Sequence, residues 1–349
     1  MLIVAGPVGA HSHDGGQNHP EQQGRIFSVM DGVRDLDLDD EIRYLTAHPA
    51  PLEDLSRVHA TKYLNELESF CRQGGGNLDP DTFALSDSWD AACRAAGAGL
   101  EAIAELERLG DGVAFVPVRP PGHHAGAERG MGFCLLNNVA VSAAALTARG
   151  QRVLIVDWDV HHGNGTQAIF WDDPDVLYIS THQWPLFPGT GRADEIGGPN
   201  AIGLTVNIPL PPGTTGDIVR MALEVVAQPT IDQFNPDWVL VSCGFDGHRD
   251  DPLGELALSS GDFAQLAQLA SSFAPRSGRL VLFLEGGYSA TALRSSVATT
   301  LGALLEVPVE QEATTFGGPG SEAIEAARRG RVQAMDALRM KSHLAGGQG

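Results

Sequence analysis

The sequence predicts an α/β fold built on a central, mainly parallel sheet covered by helices on both faces. Three observations predict it: short apolar, β-branched runs recur along the chain, stretches of helical spacing lie between them, and several runs end abruptly in polar residues and glycine. Residues 1–6 are apolar and lack the preceding positive charge of a secretory segment, so they read as a buried first strand. Further strands are expected at 113–118, 153–156, 176–180, 204–208, 238–242 and 280–284. Crossover helices are expected within 135–144, where Leu136, Val139, Ala140 and Ala143 share a face, and around Ile218, Met221, Ala222 and Val225. Ser259 and Asp262 form a capping box ahead of Phe263, Leu266, Ala267 and Ala270. Residues 310–320 read as a loop and 321–340 as a charged helix before a glycine-rich end.

No repeat and no biased linker divides the 349 residues. A single domain is expected, with 1–309 as its main body and 310–349 attached as loop, helix and tail. A chain of this length buries a large core without disulfide staples. Cys71, Cys93, Cys134 and Cys243 are scattered and form no C-x-x-C pair, which favours a reducing, cytoplasmic setting. The net charge of -21, from 44 acidic and 23 basic residues, opposes capture of a nucleic-acid backbone and draws in cationic substrates. An acidic surface also serves solubility alone. No segment reaches the roughly 18 uninterrupted apolar residues of a membrane span.

The densest chemical signal is Asp157-Trp-Asp159-Val-His161-His162-Gly-Asn164-Gly-Thr166, at the end of an apolar run. Ligands of open α/β sheets bind beyond strand C-termini. If the chain stays extended there, Asp157, Asp159 and His161 point to one side and can hold one ion. A second strand end, Cys243-Gly-Phe-Asp246-Gly-His248, offers a further carboxylate. Asp159, His161 and Asp246 would leave a coordination position open, as catalytic zinc requires. Arg119-Pro-Pro-Gly-His123-His124-Ala supplies imidazoles that titrate near neutrality, suited to taking a proton from water and delivering one to a leaving amine. Glu285-Gly286-Gly287-Tyr288 is a sharp turn from which a phenol can reach a developing oxyanion.

Together these motifs resemble the histone deacetylase and acetylpolyamine amidohydrolase family, closest in wording to its class II branch. The resemblance runs from His19-Pro-Glu21 and Arg25, through Leu55-Ser-Arg-Val-His59 and Tyr63, to Tyr288 and the following helix. It implies a single-domain, three-layer arginase-deacetylase-like fold. It also implies one zinc ion on Asp159, His161 and Asp246, the tandem catalytic pair His123 and His124, and an oxyanion-stabilising Tyr288. By the same resemblance, His124 is the main general base and acid, Asp157 partners His123, and Asn164 partners His124 where other relatives carry aspartate. Gly132 and Phe133, with Phe187, match the walls of a narrow acyl-lysine channel. Leu253 and Gly286 belong to the same substrate site, and Asp87 lies near a rim acid. The family commonly holds potassium as well, and Asp157, Asp159, His161, Ser180 and Thr181 match that shell.

The expected reaction is hydrolysis of an acetylated lysine in a peptide or protein, yielding acetate and a free amine. Acetylpolyamine hydrolysis is the near alternative. Polyamine-selective relatives often place an acidic gatekeeper where this sequence has Leu253, although Glu255 stands close by. An arginase-like binuclear manganese enzyme would need more aspartate ligands. A noncatalytic acyl-lysine reader would not need both His124 and Tyr288. The sequence leaves homo-oligomerisation open.

Overall fold

Eight strands form the central sheet of the computed structural model, which describes residues 1–6, 11–16, 18–38 and 41–346, with side chains to residue 336. The first half contains β1 (Leu2–Ala5), α1 (Gly24–Arg34), β2 (Ile42–Leu45), α2 (Leu52–Leu55), α3 (Thr61–Arg72), β3 (Gly75–Asn77), β4 (Phe83–Leu85), α4 (Ser88–Leu109), β5 (Val113–Val116), α5 (Asn138–Thr147), β6 (Val153–Asp157) and α6 (Asn164–Ile169). The second half contains β7 (Val176–Gln183), β8 (Thr205–Leu210), α7 (Gly216–Ala222), a π turn (Leu223–Ala227), α8 (Gln228–Phe234), β9 (Trp238–Cys243), α9 (Ser260–Ser272), β10 (Leu280–Leu284), α10 (Ala290–Leu305) and α11 (Ser321–Gly346).

The strand order is β2-β1-β5-β10-β9-β6-β7-β8, and every neighbouring pair runs parallel. All C-terminal ends therefore open on one edge. Alternate side chains divide the core into two layers: Leu154, Val156, Val239 and Val241 face one, Val153, Ile155, Trp238 and Leu240 the other. Ile26, Ile218, Phe263 and Val297 bring α1, α7, α9 and α10 onto the first layer, while Leu55, Leu64, Ala95 and Val139 bring α2 to α5 onto the second. This is the expected three-layer arrangement.

Strands buried on both faces read as continuous apolar runs, so β6, β9 and β10 fall within one residue of expectation. β5 stops at Val116 instead of continuing to 118, because Pro117 has no N–H for the ladder. β7 extends beyond 180, to Gln183, and β8 spans Thr205–Leu210. The helix expected within 135–144 is shifted to Asn138–Thr147, starting where the Asn137 side chain accepts from the Ala140 amide at 3.0 Å. The capping box of Ser259 and Asp262 forms as expected. The β3–β4 antiparallel ribbon and edge strand β2 carry no clear apolar run. In β2, Arg43 and Tyr44 are exposed.

Residues 310–320 form a loop fastened by Glu312, whose carboxylate lies 2.8 Å from His248 Nε2 and accepts from the Ser260 amide at 2.9 Å. α11 then buries Ile324 and Ala327 in the core, and Arg331 donates to the Thr205 carbonyl at 2.6 Å. The end of the glycine-rich tail, 347–349, lies outside the described residues.

Candidate active site

Five adjacent strands, β5, β10, β9, β6 and β7, deliver every motif singled out at a strand end to the same edge of the sheet. The local route differs from the extended one expected. β6 ends at Asp157, and the following residues climb by side-chain-to-backbone bonds: Asp157 Oδ1 accepts from the Asp159 amide at 3.2 Å, and Asp159 Oδ1 from the His161 amide at 2.9 Å. Asp157 and Asp159 are thereby given different neighbours.

Asp159, His161 and Asp246 converge, with one candidate ligand atom from each lying within 4.8 Å of the others. His161 Nδ1 is 3.1 Å from both Asp159 Oδ1 and Asp246 Oδ2. Backbone amides hold the remaining oxygens: Gly286 donates to Asp159 Oδ2 at 2.8 Å, and Val160 to Asp246 Oδ1 at 2.9 Å. A side chain at Gly286 would collide with Asp246 Oδ2 and stand 2.7 Å from Asp159 Oδ2, so glycine is what lets the carboxylates meet. Burial and the neighbouring Asp159 push Asp246 up to about 7. Burial pulls His161 down, but hydrogen bonds and charges from the two carboxylates outweigh it and lift the imidazole to about 10. The cluster favours positive charge at its centre. Two carboxylates and one imidazole suit a divalent ion such as zinc, with the imidazole as a neutral ligand.

The tandem histidines lie 4.1 Å apart between ring centroids, tilted by 43°, but have opposite surroundings. His123 Nδ1 lies 3.0 Å from Asp157 Oδ2. Burial opposes its charge, yet Asp157, Asp159 and Glu285 raise its pKa well above the usual value. His124 is held well below that value by burial, then by His123 and His161. Its Nδ1 is 2.8 Å from Asn164 Oδ1. An amide oxygen only accepts, so Nδ1 carries the proton and Nε2 is left with a lone pair. Neighbouring groups whose environments push their pKa values apart divide acid and base roles.

Tyr288 is half-buried, with its ring 5.8 Å from that of Phe133 and the Arg25 guanidinium 4.8 Å from its centroid. Burial raises the phenol's pKa well above normal. Arg25 opposes this, while Asp246 and Asp159 add to it, so the hydroxyl stays a protonated donor. Phe187, 42% exposed, meets His124 edge-on at 5.1 Å. Gly132 has a φ of 56°, and a Cβ there would stand 2.5 Å from His124 Cδ2 and 3.0 Å from Phe187 Cε1. The two phenylalanines thus border the histidine and tyrosine sides of the site. Leu253 is tied to the Tyr288 turn through Asp251.

Asp87 is not brought into the cluster. It is exposed and accepts from the His13 amide at 3.2 Å. From His13 a run of ring contacts leads to the substrate side, His13 on Phe83, Phe83 on His19 and His19 on Phe133. Among the expected potassium residues, Asp157 and Ser180 pair in the sheet, and Thr181 Oγ1 is buried without a hydrogen-bond partner.

Sequence reasoning quoted Glu285 without giving it a role. Its buried carboxylate accepts from the Gly122 and His123 amides at 2.7 and 3.2 Å and from Ser242 Oγ at 3.0 Å, joining three strand ends. Burial is the main reason its pKa rises to about 7. Glu21, Arg25 and Arg119 form a second buried network. Arg119 donates to both Glu21 carboxylate oxygens at 2.5 and 2.7 Å, and Arg25 donates to Glu21, Gly287 O and Glu285 O. Their only sequence signal was the resemblance, since a partner 260 residues away has no local pattern.

Residues 19–304 match the family model for the histone deacetylase domain. The chain belongs to the histone deacetylase family. A probable deacetylase of Archaeoglobus fulgidus is 41% identical over 282 residues, covering 79% of this chain and 78% of that protein. A histone deacetylase-like amidohydrolase of Pseudomonas aeruginosa is 39% identical over 82% of this chain and 76% of its own. The rice protein named histone deacetylase 10, chloroplastic, is 37% identical over 88% and 74%. The crystal structure of the HDA15 HD domain superposes with a TM-score of 0.84 at 29% identity, covering 98% of this chain and 99% of that one. The fold is therefore the arginase-deacetylase-like α/β fold of histone deacetylases, and the family places the chain among deacetylase-like hydrolases of acetylated substrates. No described helix is long and apolar enough to cross a membrane.

Proposed function

We propose that this chain is a zinc-dependent deacetylase that removes acetyl groups from lysine side chains of peptides or proteins. The observation that carries the proposal is an imidazole kept neutral, His124, placed 5.9 Å from the ring of His161 in the Asp159–His161–Asp246 cluster. Zinc held by those three residues would supply a Lewis acid to polarise the acetyl carbonyl and acidify water. His124 takes the proton from the attacking water at Nε2. His123, kept cationic beside Asp157, adds positive charge where the oxyanion forms. Tyr288 donates its hydroxyl to that oxyanion, and protonated His124 returns its proton to the leaving amine.

Phe133, Phe187, Gly132 and Leu253 would line the passage for an aliphatic lysine stem, which area burial favours. Leu253 is apolar and partly buried, whereas the Glu255 carboxylate accepts from Gln183 Nε2 at 3.3 Å. This favours acyl-lysine over an acetylated polyamine. The unpartnered Thr181 hydroxyl beside Asp157 and Ser180 supports a potassium ion as well. Buried, unpaired cysteines suit a reducing compartment, and we assign the enzyme to the cytoplasm. Residues 1–309 would carry the chemistry, with the loop and helix of 310–346 attached to the same domain.

The test is acetate release from an acetyl-lysine peptide and from N-acetylated polyamines, side by side, before and after metal chelation. Faster, chelator-sensitive turnover of the peptide is expected. Faster turnover of the polyamines would overturn the substrate assignment, and chelator-resistant turnover the metal assignment.

A further inference from the structure

The turn that presents Tyr288 contains Gly286 and Gly287, the latter at a φ of 124°, so its own backbone supplies little restraint. Hydrogen bonds from outside must supply it. Arg25 holds the Glu285 and Gly287 carbonyls. The amides that follow are held by Asp251, which is 7% exposed and five residues beyond Asp246.

Asp251 Oδ2 accepts from the Tyr288 amide at 2.6 Å and the Ser289 amide at 3.2 Å. Its Oδ1 accepts from the Leu253 amide at 3.0 Å. Ser289 immediately precedes the 16-residue α10 and makes no side-chain cap of its own. The Asp251 carboxylate therefore holds the two amides that lead into that helix, close to its positive end, where negative charge is favoured. One side chain thus fixes both the backbone that aims the phenol and the residue expected to form the channel wall. An oxyanion donor works only if it is held about 2.7–3.1 Å from the place where charge develops. A backbone with two glycines would not hold it there unaided.

We propose that Asp251 is a positioning residue for hydrolysis, fixing the Tyr288 phenol and setting Leu253 in register with it. The inference rests on the oxyanion role given to Tyr288. It goes further by assigning the restraint to a carboxylate that touches neither substrate nor metal.

A double-mutant cycle tests it, with kcat and KM for an acetyl-lysine peptide measured on zinc-loaded Asp251→Ala, Tyr288→Phe and the double variant. In the unmodified background Asp251→Ala should lower kcat by about 10-fold or more and change KM less, because a shift of roughly 1 Å in an oriented group can cost about 10²-fold. In the Tyr288→Phe background the same substitution should lower kcat by less than about 2-fold, since the hydroxyl it positions is already gone, while its smaller effect on KM through Leu253 should be the same in both backgrounds. Zinc content should match the unmodified enzyme in all three. An equal fold loss of kcat in both backgrounds, or zinc loss in Asp251→Ala, would show a general structural role and overturn the proposal. Asp251→Asn keeps the volume and one acceptor oxygen. It should show a smaller loss with the same dependence on background, and it carries the cycle if the alanine variant does not fold. Unchanged turnover in Tyr288→Phe alone would overturn the reading of Tyr288, a result distinct from failure of the cycle.

Discussion

Replacing Glu21 with glutamine should change how the stability of the fold depends on pH. Glu21 is fully buried, bound by Arg119 through both carboxylate oxygens and by Arg25 at 3.0 Å. Burial alone would raise its pKa, but the two guanidinium groups outweigh burial and hold it at about 2, against an ordinary 4.5. Because the folded value is the lower one, the charged carboxylate stabilises the fold at pH values above about 4.5. That contribution is lost as pH falls from about 4.5 through about 2. The full gap corresponds to about 3 kcal/mol, of which about 2 kcal/mol should be gone by pH 3. Glu21→Gln removes the titration and the counter-charge of two buried guanidinium groups, so at pH 7 the variant should be less stable by roughly 3–5 kcal/mol. Urea unfolding of both proteins at pH 7 and pH 3 measures this. The stability difference between them should shrink by about 2 kcal/mol at the lower pH. A difference that stays constant between the two pH values would refute the assignment of Glu21 as the charged anchor of the network.

Asp246→Ala should lose bound metal together with activity, because it removes one of three ligands from an open site; normal metal content with normal turnover would remove Asp246 from the centre. His124→Ala should keep metal and substrate binding while turnover falls about 10²- to 10⁴-fold, as read by active-site titration and steady-state kinetics. Near-normal turnover would shift the proton-transfer role to His123. Asn164→Asp should move the acid limb of the pH–rate profile to higher pH, since a carboxylate at 2.8 Å would favour the charged imidazole and raise its pKa. A limb that stays in place or moves to lower pH would mean that His124 does not control it.

The fold was legible where burial is symmetric. β6, β9 and β10 are apolar at every position save Asp157 and Ser242, and both faces of each are covered. β2 was not legible, because its exposed Arg43 and Tyr44 break the apolar run at the sheet's edge. At the site, Asp159, His161 and Asp246 converge as expected, but the turn beyond Asp157 does so through side-chain bonds to amides instead of the pleat of a strand. Roles played through distant backbone groups left no trace in the sequence. Glu285 accepts from amides 162 and 163 positions away, and Asp251 from amides 37 and 38 away. Neither has a local pattern to separate it from a turn or surface acid. Asp87, expected near a rim acid, stands exposed at the start of α4 with its carboxylate on the His13 amide, outside the metal-ligand cluster.

The central claim, one catalytic metal on Asp159, His161 and Asp246 serving amide hydrolysis, is tested most directly by titrating zinc into chelator-treated protein. Acetate release from an acetyl-lysine peptide would be followed alongside bound metal. Activity should rise from near zero and saturate at one ion per chain, and Asp246→Ala should recover none of it. Full activity in the chelator-treated protein, or activity that appears only with a second ion bound, would contradict the account.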